Sequence, residues 1–267
     1  MRPFSLLLAL LLSLPAFAQA DRLVDEHSYS EPGKVRIQHL DLDLAVDFDK
    51  RQLDGSATLG LQWLDPEART LVLDTRDLAI ARVEGRNGKR KWRELEFALA
   101  EADERFGSKL SITLPRQYEQ VRIHYATSPQ ASGLQWLAPG MTAGGKTPFM
   151  FSQSQAIHAR SWVPLQDTPS VRFTYTAHIR TPADVMALMS ADNDPAAERD
   201  GDYRFEMPQA IPSYLMAIAA GDLVFKPISG RAGVWAEPAT VDRAVKEFED
   251  TEKMIEVTES LYGPYRW

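Results

Sequence analysis

The strongest constraint on the fold of this chain is an alternation of apolar and polar residues along two neighbouring segments. The segments are separated by the short polar stretch Asp49–Arg51. Because successive side chains of a strand point to opposite faces, this pattern predicts an antiparallel hairpin with one buried face. Val35 and Ile37 lie on the opposite parity, which predicts a bulge or a break near His39. The alternating apolar positions are Leu40, Leu42, Leu44, Val46 and Phe48, then Leu53, Ala57, Leu59, Leu61 and Trp63.

Further short strands follow without helical patterns between them. The alternation is clearest from Val171 to Ile179, and shorter runs occur at 71–73, 110–114 and 121–125. Dipeptides such as Asn87-Gly88 separate the runs and are typical of turns. Many short strands without intervening helices predict a mainly β fold, either an antiparallel sandwich or a saddle-shaped sheet, and disfavour an α/β nucleotide-binding fold.

The pattern changes near Pro238, where apolar residues recur with helical spacing. Pro238 suits the first turn of a helix and Gly263-Pro264 is a stop signal, so one long amphipathic helix is predicted between them. Such a helix must bury its apolar stripe on the β domain or lack a partner. We place a domain boundary at Ser229-Gly230, ahead of this change. The stripe comprises Val241, Val245, Phe248, Ile255 and Leu261.

Cysteine usage and charge exclude several classes of function. The chain has no cysteine, which excludes disulfides, thiolate zinc sites, iron–sulfur clusters and a cysteine nucleophile. The 37 acidic and 30 basic residues give a net charge of −7. This balance predicts that no basic cluster is available to bind phosphate backbones or anionic membranes. We therefore expect no nucleic acid as a partner, and no membrane once the protein has been exported.

The N-terminus has the features of an export signal. Arg2 precedes the apolar stretch Leu6–Leu14, and Ala18-Gln19-Ala20 forms a small-x-small cleavage site before Asp21. The apolar stretch is about half the roughly 20 residues that a spanning helix needs. We interpret residues 1–20 as a removable signal peptide rather than an anchor, and we expect the mature protein to be periplasmic or secreted.

The segment Gly140–Thr147 matches the phosphate-loop pattern G-x-x-x-x-G-K-[ST]. A true phosphate loop follows a buried strand and begins a helix at its Lys-Thr pair. Here Pro139 precedes the match, Pro148 follows it, and Phe149–Phe151 has the composition of a strand. We therefore interpret the segment as a flexible glycine-rich loop and not as a nucleotide site.

Motifs for zinc or serine hydrolysis are not recognisable in the sequence. None of the five histidines is followed by Glu, and no two of them are three to five residues apart, so H-E-x-x-H is absent. The serine motifs G-x-S-x-G and S-x-x-K are absent as well. Ser152 and Ser154 precede His158, but Ser154 and His158 would lie about 13 Å apart on a strand, which favours structural roles for the two hydroxyls.

A polar stretch at 151–160 lies between apolar flanks. If it is extended, Gln153 and Gln155 point to the same face. Two amide carbonyls on one face can accept hydrogen bonds from an ammonium group or orient a peptide backbone. On the residues alone, a solvated strand face is the simpler interpretation. The segment Gln166–Ser170 that follows is typical of a turn, with Asp167 capping backbone N–H groups.

The runs Pro148–Arg160 and Val163–Val171 closely resemble the leukotriene-A4-hydrolase-like branch of the M1 zinc aminopeptidases. Further segments of the same family pattern occur in the right order along the mature chain. They are 127–129 (TSP), 132–137 (SGLQWL), 211–215 (IPSYL) and 263–267 (GPYRW).

This resemblance implies a domain organisation and a binding site. It implies a signal peptide at 1–20, a saddle-shaped β domain at 21–229, and at 230–267 the first strand and helix of a truncated thermolysin-like α/β domain. The family motif Q-x-[QE]-A corresponds to Gln153-Ser154-Gln155-Ala156. By resemblance Gln155 would contact the substrate amine or first side chain, while Gln153 and Ala156 would line that pocket.

The chain also departs from the family pattern. G-x-M-E-N, the zinc-binding H-E-x-x-H helix with its third Glu ligand, and the transition-state tyrosine are expected beyond Trp267. The resemblance therefore implies the N-terminal portion of an exported zinc aminopeptidase that removes N-terminal residues from peptides. This portion would supply the amine-binding wall, contain no catalytic residue, bind no zinc and be inactive alone. The alternative is a non-catalytic, β-rich peptide-binding module retained after loss of the catalytic domain.

Overall fold

The structure is a computed structural model that describes residues 25–265. The predicted signal peptide therefore lies outside the described residues. Strands make up most of the regular structure, and the α-helices of the described residues lie near the C-terminal end, which confirms the mainly β fold class. The strands are β1 (Val35–Asp47), β2 (Gln52–Trp63), β3 (Thr70–Thr75), β4 (Ala79–Arg86), β5 (Arg93–Glu94), β6 (Phe97–Leu99), β7 (Ser108–Thr113), β8 (Gln120–Ala126), β9 (Leu134–Leu137), β10 (Phe149–Ser152), β11 (Arg172–Arg180), β12 (Met186–Met189), β13 (Asp202–Pro212), β14 (Ile218–Gly221), β15 (Val224–Pro227) and β16 (Gly233–Ala236); the α-helices are α1 (Val241–Glu247) and α2 (Thr251–Tyr262).

The largest sheet has seven strands in the order β13-β11-β1-β2-β8-β4-β5. β1 and β2 form the hairpin that the alternation predicts, and their register shifts between Ile37 and His39, which confirms the bulge. Most neighbours pair antiparallel, but β1 pairs in parallel with β11, so that His39 lies opposite Thr174. This parallel pair joins the first strand of the fold to a strand far along the chain.

Three smaller sheets complete the β structure. Their strand orders are β12-β14-β10-β9, β3-β7-β6 and β15-β16. A single apolar core draws residues from the seven-, four- and three-stranded sheets, for example Leu42, Met150 and Leu110. Burial of alternate residues removes their apolar surface from water, and this is the main driving force for packing the sheets together. The arrangement holds β10, which leads into the polar stretch, at an inner position of its sheet.

The predicted single C-terminal helix is in fact two helices, so that prediction is wrong. Both the N–H and the hydroxyl of Thr251 donate to the carbonyl of Phe248, at 3.0 Å and 2.7 Å, and this tight turn separates α1 from α2. α1 packs on β15 and β16. Of the predicted apolar stripe only Val241 is buried, whereas Phe248 and Leu261 are 55% and 68% exposed. Neither α-helix between residues 25 and 265 is long and apolar enough to cross a bilayer.

Arg231 attaches α2 to the turn between β15 and β16. Its two terminal nitrogens donate to the two carboxylate oxygens of Glu259, each at 2.9 Å, and its Nε donates to Glu252 at 2.7 Å. The backbone N–H of Tyr265 donates to the same Glu259 carboxylate at 3.0 Å. The predicted boundary at Ser229-Gly230 falls in this turn and stays a prediction.

These bonds predict a pH-dependent attachment of α2. The hydrogen bond from Arg231 lowers the pKa of Glu259 from 4.5 to about 2. Because the folded-state pKa is the lower one, the ionised carboxylate stabilises the folded state above pH 4.5. We expect this contribution to be lost as the pH falls towards 2. The amide chemical shift of Tyr265, followed by NMR during an acid titration, should have its midpoint well below 4.5.

The matched control is Arg231→Gln, which removes the guanidinium that lowers this pKa. In that variant the midpoint should move back towards 4.5. A wild-type midpoint that already lies there would contradict the prediction.

Candidate functional site

The candidate site begins where β10 ends at Ser152. Gln153 and Gln155 are both exposed, while Ser154 between them is buried. The two amide side chains thus share the solvent side, as the predicted alternation requires. Ala156, the third residue of the predicted pocket, is also exposed, and the peptide bond between Gln155 and Ala156 is cis.

Ser154 anchors this short segment to the interior. Its hydroxyl donates to the carbonyl of Met216 at 2.7 Å and accepts from the indole N–H of Trp162 at 3.1 Å. A buried hydroxyl with both a donor and an acceptor partner holds its own backbone in place. A structural role was predicted for this hydroxyl, and the parity of Ser154, opposite to that of the two glutamines, indicates an inward side chain.

The two glutamines have different surroundings. The side-chain oxygen of Gln153 accepts from the backbone N–H of Gln155 at 3.1 Å, and the N–H of Gln153 donates to Gly133 at 2.9 Å. The side chain of Gln155 makes no hydrogen bond to the residues that the structure describes, 25–265. Gln153 therefore orders the loop, and the amide of Gln155 is available to a ligand.

A turn follows at 155–158 and brings His158 beside Ser132. The N–H of His158 donates to the carbonyl of Ser154 at 2.9 Å, and its Nδ1 lies 2.8 Å from the Ser132 hydroxyl. Burial, with Arg76 as a lesser cause, lowers the pKa of His158. Neither partner of this contact was paired in the sequence analysis, because Ser132 precedes His158 by 26 residues. The strand geometry from which a Ser154–His158 pair was rejected is wrong, because residues 155–158 form a turn; within residues 25–265 the two are joined by a hydrogen bond between their backbones and not by their side chains.

Gly133 is required where this turn crosses the preceding segment. A Cβ at Gly133 would lie 2.6 Å from the carbonyl oxygen of His158 and 2.8 Å from the Ser161 hydroxyl. The close approach lets the Ser161 hydroxyl accept from the Gly133 N–H at 2.8 Å. The segment 132–137 of the family pattern and the polar stretch are therefore in direct contact.

A buried ionic network lies beneath the site loop. Arg160 is fully buried, and its Nε donates to Asp167 at 3.0 Å, while its other nitrogens donate to the carbonyls of Phe106 at 2.9 Å and His27 at 2.8 Å. The backbone N–H of Asp167 donates in turn to buried Asp74 at 2.9 Å. Burial raises the pKa of Asp74, although the nearby Arg160 opposes this shift. The predicted capping role of Asp167 is present, since it accepts from the Arg160 N–H at 3.2 Å.

The loop that matches the phosphate-loop pattern binds a carboxylate of the same chain. Its backbone N–H groups at Ala143 and Gly144 donate to Glu237 at 2.9 Å and 3.1 Å. No helix begins at Lys146, and the chain continues into β10. Glu237 thus fixes the loop that leads to the candidate site. Nothing in the sequence indicated this contact, because Glu237 follows the loop by more than ninety residues.

Metal-ligating side chains are dispersed. Within residues 25–265 no group of three or more His, Asp or Glu is arranged to hold a metal ion. The predicted site residues that the fold does bring together are Gln153, Gln155 and Ala156, on one exposed loop. The side-chain amides of the two glutamines can donate hydrogen bonds to a polar ligand or accept hydrogen bonds from it.

Comparison with known proteins identifies close similarities over most of the chain. The family model described as the Peptidase M1 N-terminal domain matches residues 36–215, which include the site loop. Leukotriene A-4 hydrolase from Xenopus laevis is 40% identical over 255 residues, covering 92% of this chain and 41% of that protein. Leucine aminopeptidase 2 from Yarrowia lipolytica is 41% identical over 231 residues, covering 84% of this chain and 34% of that protein.

Solved structures give the same picture. Yeast leukotriene A4 hydrolase in complex with bestatin superimposes with a TM-score of 0.84 at 35% identity, covering 95% of this chain and 39% of that chain. A two-domain M1 zinc metallopeptidase bound to L-tryptophan shares the fold with a TM-score of 0.65 at 24% identity, covering 88% of this chain and 55% of that chain. The chain spans about two fifths of the length of the curated relatives that it matches.

Proposed function

The chain belongs to the M1 peptidase family through its N-terminal domain, and on that premise we propose that it is the N-terminal portion of a zinc aminopeptidase. In this proposal the complete enzyme removes N-terminal residues from peptides by metal-assisted hydrolysis. The present chain supplies the wall of the active site that binds the free amine of the substrate. The observation that carries the proposal is the exposed, unbonded amide of Gln155 on a loop whose backbone is fixed from the interior.

The surroundings of the site loop support binding rather than bond cleavage. Gln155 offers a carbonyl oxygen to an ammonium group, and its backbone N–H is already held by Gln153 at 3.1 Å. The bonds of Ser154 hold this part of the loop, so little conformational entropy would be lost when a ligand binds. A neutral amide binds an ammonium group less strongly than a carboxylate does. We therefore expect Gln155 to orient the amine without binding it tightly.

The described residues do not fit a zinc ion. They provide no cluster of three histidine or carboxylate ligands between positions 25 and 265. Among the relatives, one of similar fold is an M1 zinc metallopeptidase. We assign the metal of the complete enzyme to residues outside the described part, so no step of the reaction is derived from this chain.

The exposed stripe of α2 favours an enzyme portion over a free-standing binding module. Met254, Val257 and Leu261 recur at helical spacing along α2, and all three are more than half exposed. Contiguous apolar side chains of this size are usually covered in soluble proteins. A module that had lost its catalytic domain would leave this stripe in water, whereas further enzyme structure would cover it.

The test uses the protein expressed from the coding region that continues past the codon of Trp267. The substrates are aminoacyl 4-nitroanilides. We expect Gln155→Ala to reduce kcat/KM about tenfold to a hundredfold, as for the loss of a hydrogen bond to a charged group. Gln155→Glu should lower KM, because a carboxylate forms a stronger bond with the ammonium group. Gln130→Ala, an exposed glutamine on another loop, serves as the matched control and should leave both constants unchanged.

Two results would contradict the proposal. One is a coding region that ends at Trp267 with no zinc motif in a companion chain. The other is unchanged kinetics of Gln155→Ala in an active enzyme. The chain 21–267 alone should release no product and bind no stoichiometric zinc. Metal-dependent turnover by that chain would contradict the proposal that it supplies only the amine-binding wall of the active site.

We further propose that the protein is exported, on the basis of its N-terminal sequence. Fusing residues 1–20 to a reporter that is active only outside the cytoplasm tests this. Reporter activity that is lost when an Arg replaces Leu10 would support export, and an inactive wild-type fusion would refute it.

A further inference from the structure

The turn between β4 and β5 carries a basic cluster that the acidic net charge conceals. Five of the eight residues 86–93 are Lys or Arg, and none is acidic. The prediction that the chain lacks a basic cluster is therefore wrong, because a net charge averages over the whole surface. We call this cluster the basic hairpin. It consists of Arg86, Lys89, Arg90, Lys91 and Arg93.

The cations of the basic hairpin are free of carboxylate partners. Lys89, Arg90, Lys91 and Arg93 are exposed, and Arg86 is half-buried. Within the described range 25–265 none of the five forms an ion pair, although eighteen other such pairs occur there. Unpaired charges of one sign repel one another, so clustering them costs free energy unless a partner of opposite charge is bound.

The turn that displays these cations is fixed in shape. Asn87 donates to the carbonyl of Gln117 at 3.0 Å and accepts from the N–H of Glu119 at 2.8 Å. The carboxylate of Glu119, which directly precedes β8, accepts from the N–H of Gly88 at 2.7 Å instead of pairing with a lysine. Gly88 has a φ of 54°, which suits this turn. The positive charges are thus held at the surface by bonds that do not neutralise them.

Protection of a sheet edge does not account for the cluster. β5 is the edge strand of the seven-stranded sheet, and a charged edge prevents pairing between molecules. Only Arg93 lies on that strand, whereas Lys89, Arg90 and Lys91 lie in the turn before it. The three turn residues therefore need another explanation.

The chemistry of the basic hairpin fits a phosphate-bearing surface and not a nucleic-acid strand. Single-stranded nucleic acid binds to basic grooves with free aromatic rings on which bases stack. The only aromatic ring in the cluster is Trp92, and the guanidinium groups of Arg86 and Arg122 already lie 4.3 Å and 4.1 Å from its ring centre. Clusters of four to eight Lys or Arg beside a membrane-spanning helix or on an amphipathic helix bind anionic lipids, and this electrostatic contact requires neither groove nor stacking.

We propose that the basic hairpin docks this protein on the surface of an anionic phospholipid bilayer. The contact is electrostatic and peripheral: the lysine and arginine side chains meet lipid phosphates, and the rest of the acidic surface faces away. Each basic residue near an anionic membrane strengthens binding about fivefold. Binding should weaken steeply with salt, because such charges are screened.

The experiment measures co-sedimentation with vesicles, using the chain from Asp21 so that Leu6–Leu14 does not bind lipid itself. The described core lies entirely within this chain. Vesicles of phosphatidylcholine with about 30 mol% phosphatidylglycerol are compared with pure phosphatidylcholine at about 0.05 M and 0.5 M NaCl. We expect binding to the anionic vesicles at low salt only.

Variants locate the contact. Replacing Lys89, Arg90 and Lys91 together by Gln should weaken partitioning about a hundredfold. The control replaces three exposed basic residues elsewhere, Lys109→Gln, Arg172→Gln and Arg243→Gln, and has the same net charge. A second variant, Lys89→Arg, Arg90→Lys and Lys91→Arg, keeps the charge and should keep the binding.

Three results would overturn the proposal. The first is equal partitioning of the wild type on both kinds of vesicle, and the second is equal loss in the turn variant and its charge-matched control. The third is binding to a single-stranded DNA of about 20 nucleotides without binding to anionic vesicles, which would assign the cluster to nucleic acid. The inference does not depend on aminopeptidase activity, and its failure would leave the proposed function untouched.

Discussion

Arg160→Ala is expected to destabilise the fold by about 3–5 kcal/mol, because it leaves buried carboxylates without their counter-charge. Arg160 is fully buried and binds Asp167 at 3.0 Å, with Asp74 at 3.9 Å. The same guanidinium also satisfies the carbonyls of His27 and Phe106. The substitution therefore breaks the attachment of the site loop to two distant segments at once. In a domain of this size the melting temperature should fall by roughly 10 °C.

The measurement is equilibrium unfolding in urea, compared with a surface arginine. Arg204 is 73% exposed and pairs with Asp202 at 3.9 Å, so Arg204→Ala should change the free energy of unfolding by less than about 1 kcal/mol. Arg160→Lys keeps the charge but loses the planar geometry, and should fall between the two. Equal effects of Arg160→Ala and Arg204→Ala would show that the buried network contributes nothing to stability.

Trp162→Ala is expected to cost about 3–5 kcal/mol of unfolding free energy through the cavity that it creates. Trp162 is fully buried, and its indole N–H donates to the hydroxyl of Ser154 at 3.1 Å. The loss should also loosen the site loop, because Ser154 lies between the two exposed glutamines. The backbone N–H of Gln155 donates to Gln153 at 3.1 Å. In the variant, hydrogen exchange at this N–H should accelerate by a larger factor than exchange at the N–H groups of the sheets.

Trp162→Phe separates packing from hydrogen bonding. It retains much of the apolar volume and removes only the donor to Ser154, so we expect a cost of about 1–2 kcal/mol. Phe248→Ala, an aromatic residue that is 55% exposed, is the control and should have little effect on stability. If Trp162→Phe leaves hydrogen exchange at the Gln155 N–H unchanged, the hydrogen bond from the indole to Ser154 does not position the loop.

The strands were predictable because their signal is local. Alternation at Leu40 to Phe48 identified β1, and the change of parity identified the bulge next to His39. The shared face of both glutamines followed from the same rule, whereas the strand before the site loop was predicted from its composition. The assignment of the loop to an amine-binding site came instead from resemblance to the M1 family, and it stays a proposal for this chain.

Long-range features were not predictable from local patterns. The parallel pairing of β1 with β11 could not be predicted from the alternation of apolar and polar residues, because parallel and antiparallel neighbours give the same alternation. Gln166, Asp167 and Thr168 have the composition of a solvated turn, yet all three are buried. Their burial is possible because remote backbone groups pair with them, as when the N–H of Ile37 donates to Gln166 at 3.0 Å.

The amino-acid sequence by itself determined the alternating strands such as β1, β2, β8 and β11, which of their faces are apolar, and which family pattern the site loop carries. These properties depend on the order of neighbouring side chains, and that order is fixed before the chain folds. Only the tertiary structure decided that Arg160 is buried, that Glu237 binds the glycine-rich loop and that the basic hairpin forms no ion pair with the described residues. Each of these depends on which distant groups meet, because a charged or polar side chain is stable in a given place only if its partners are there too.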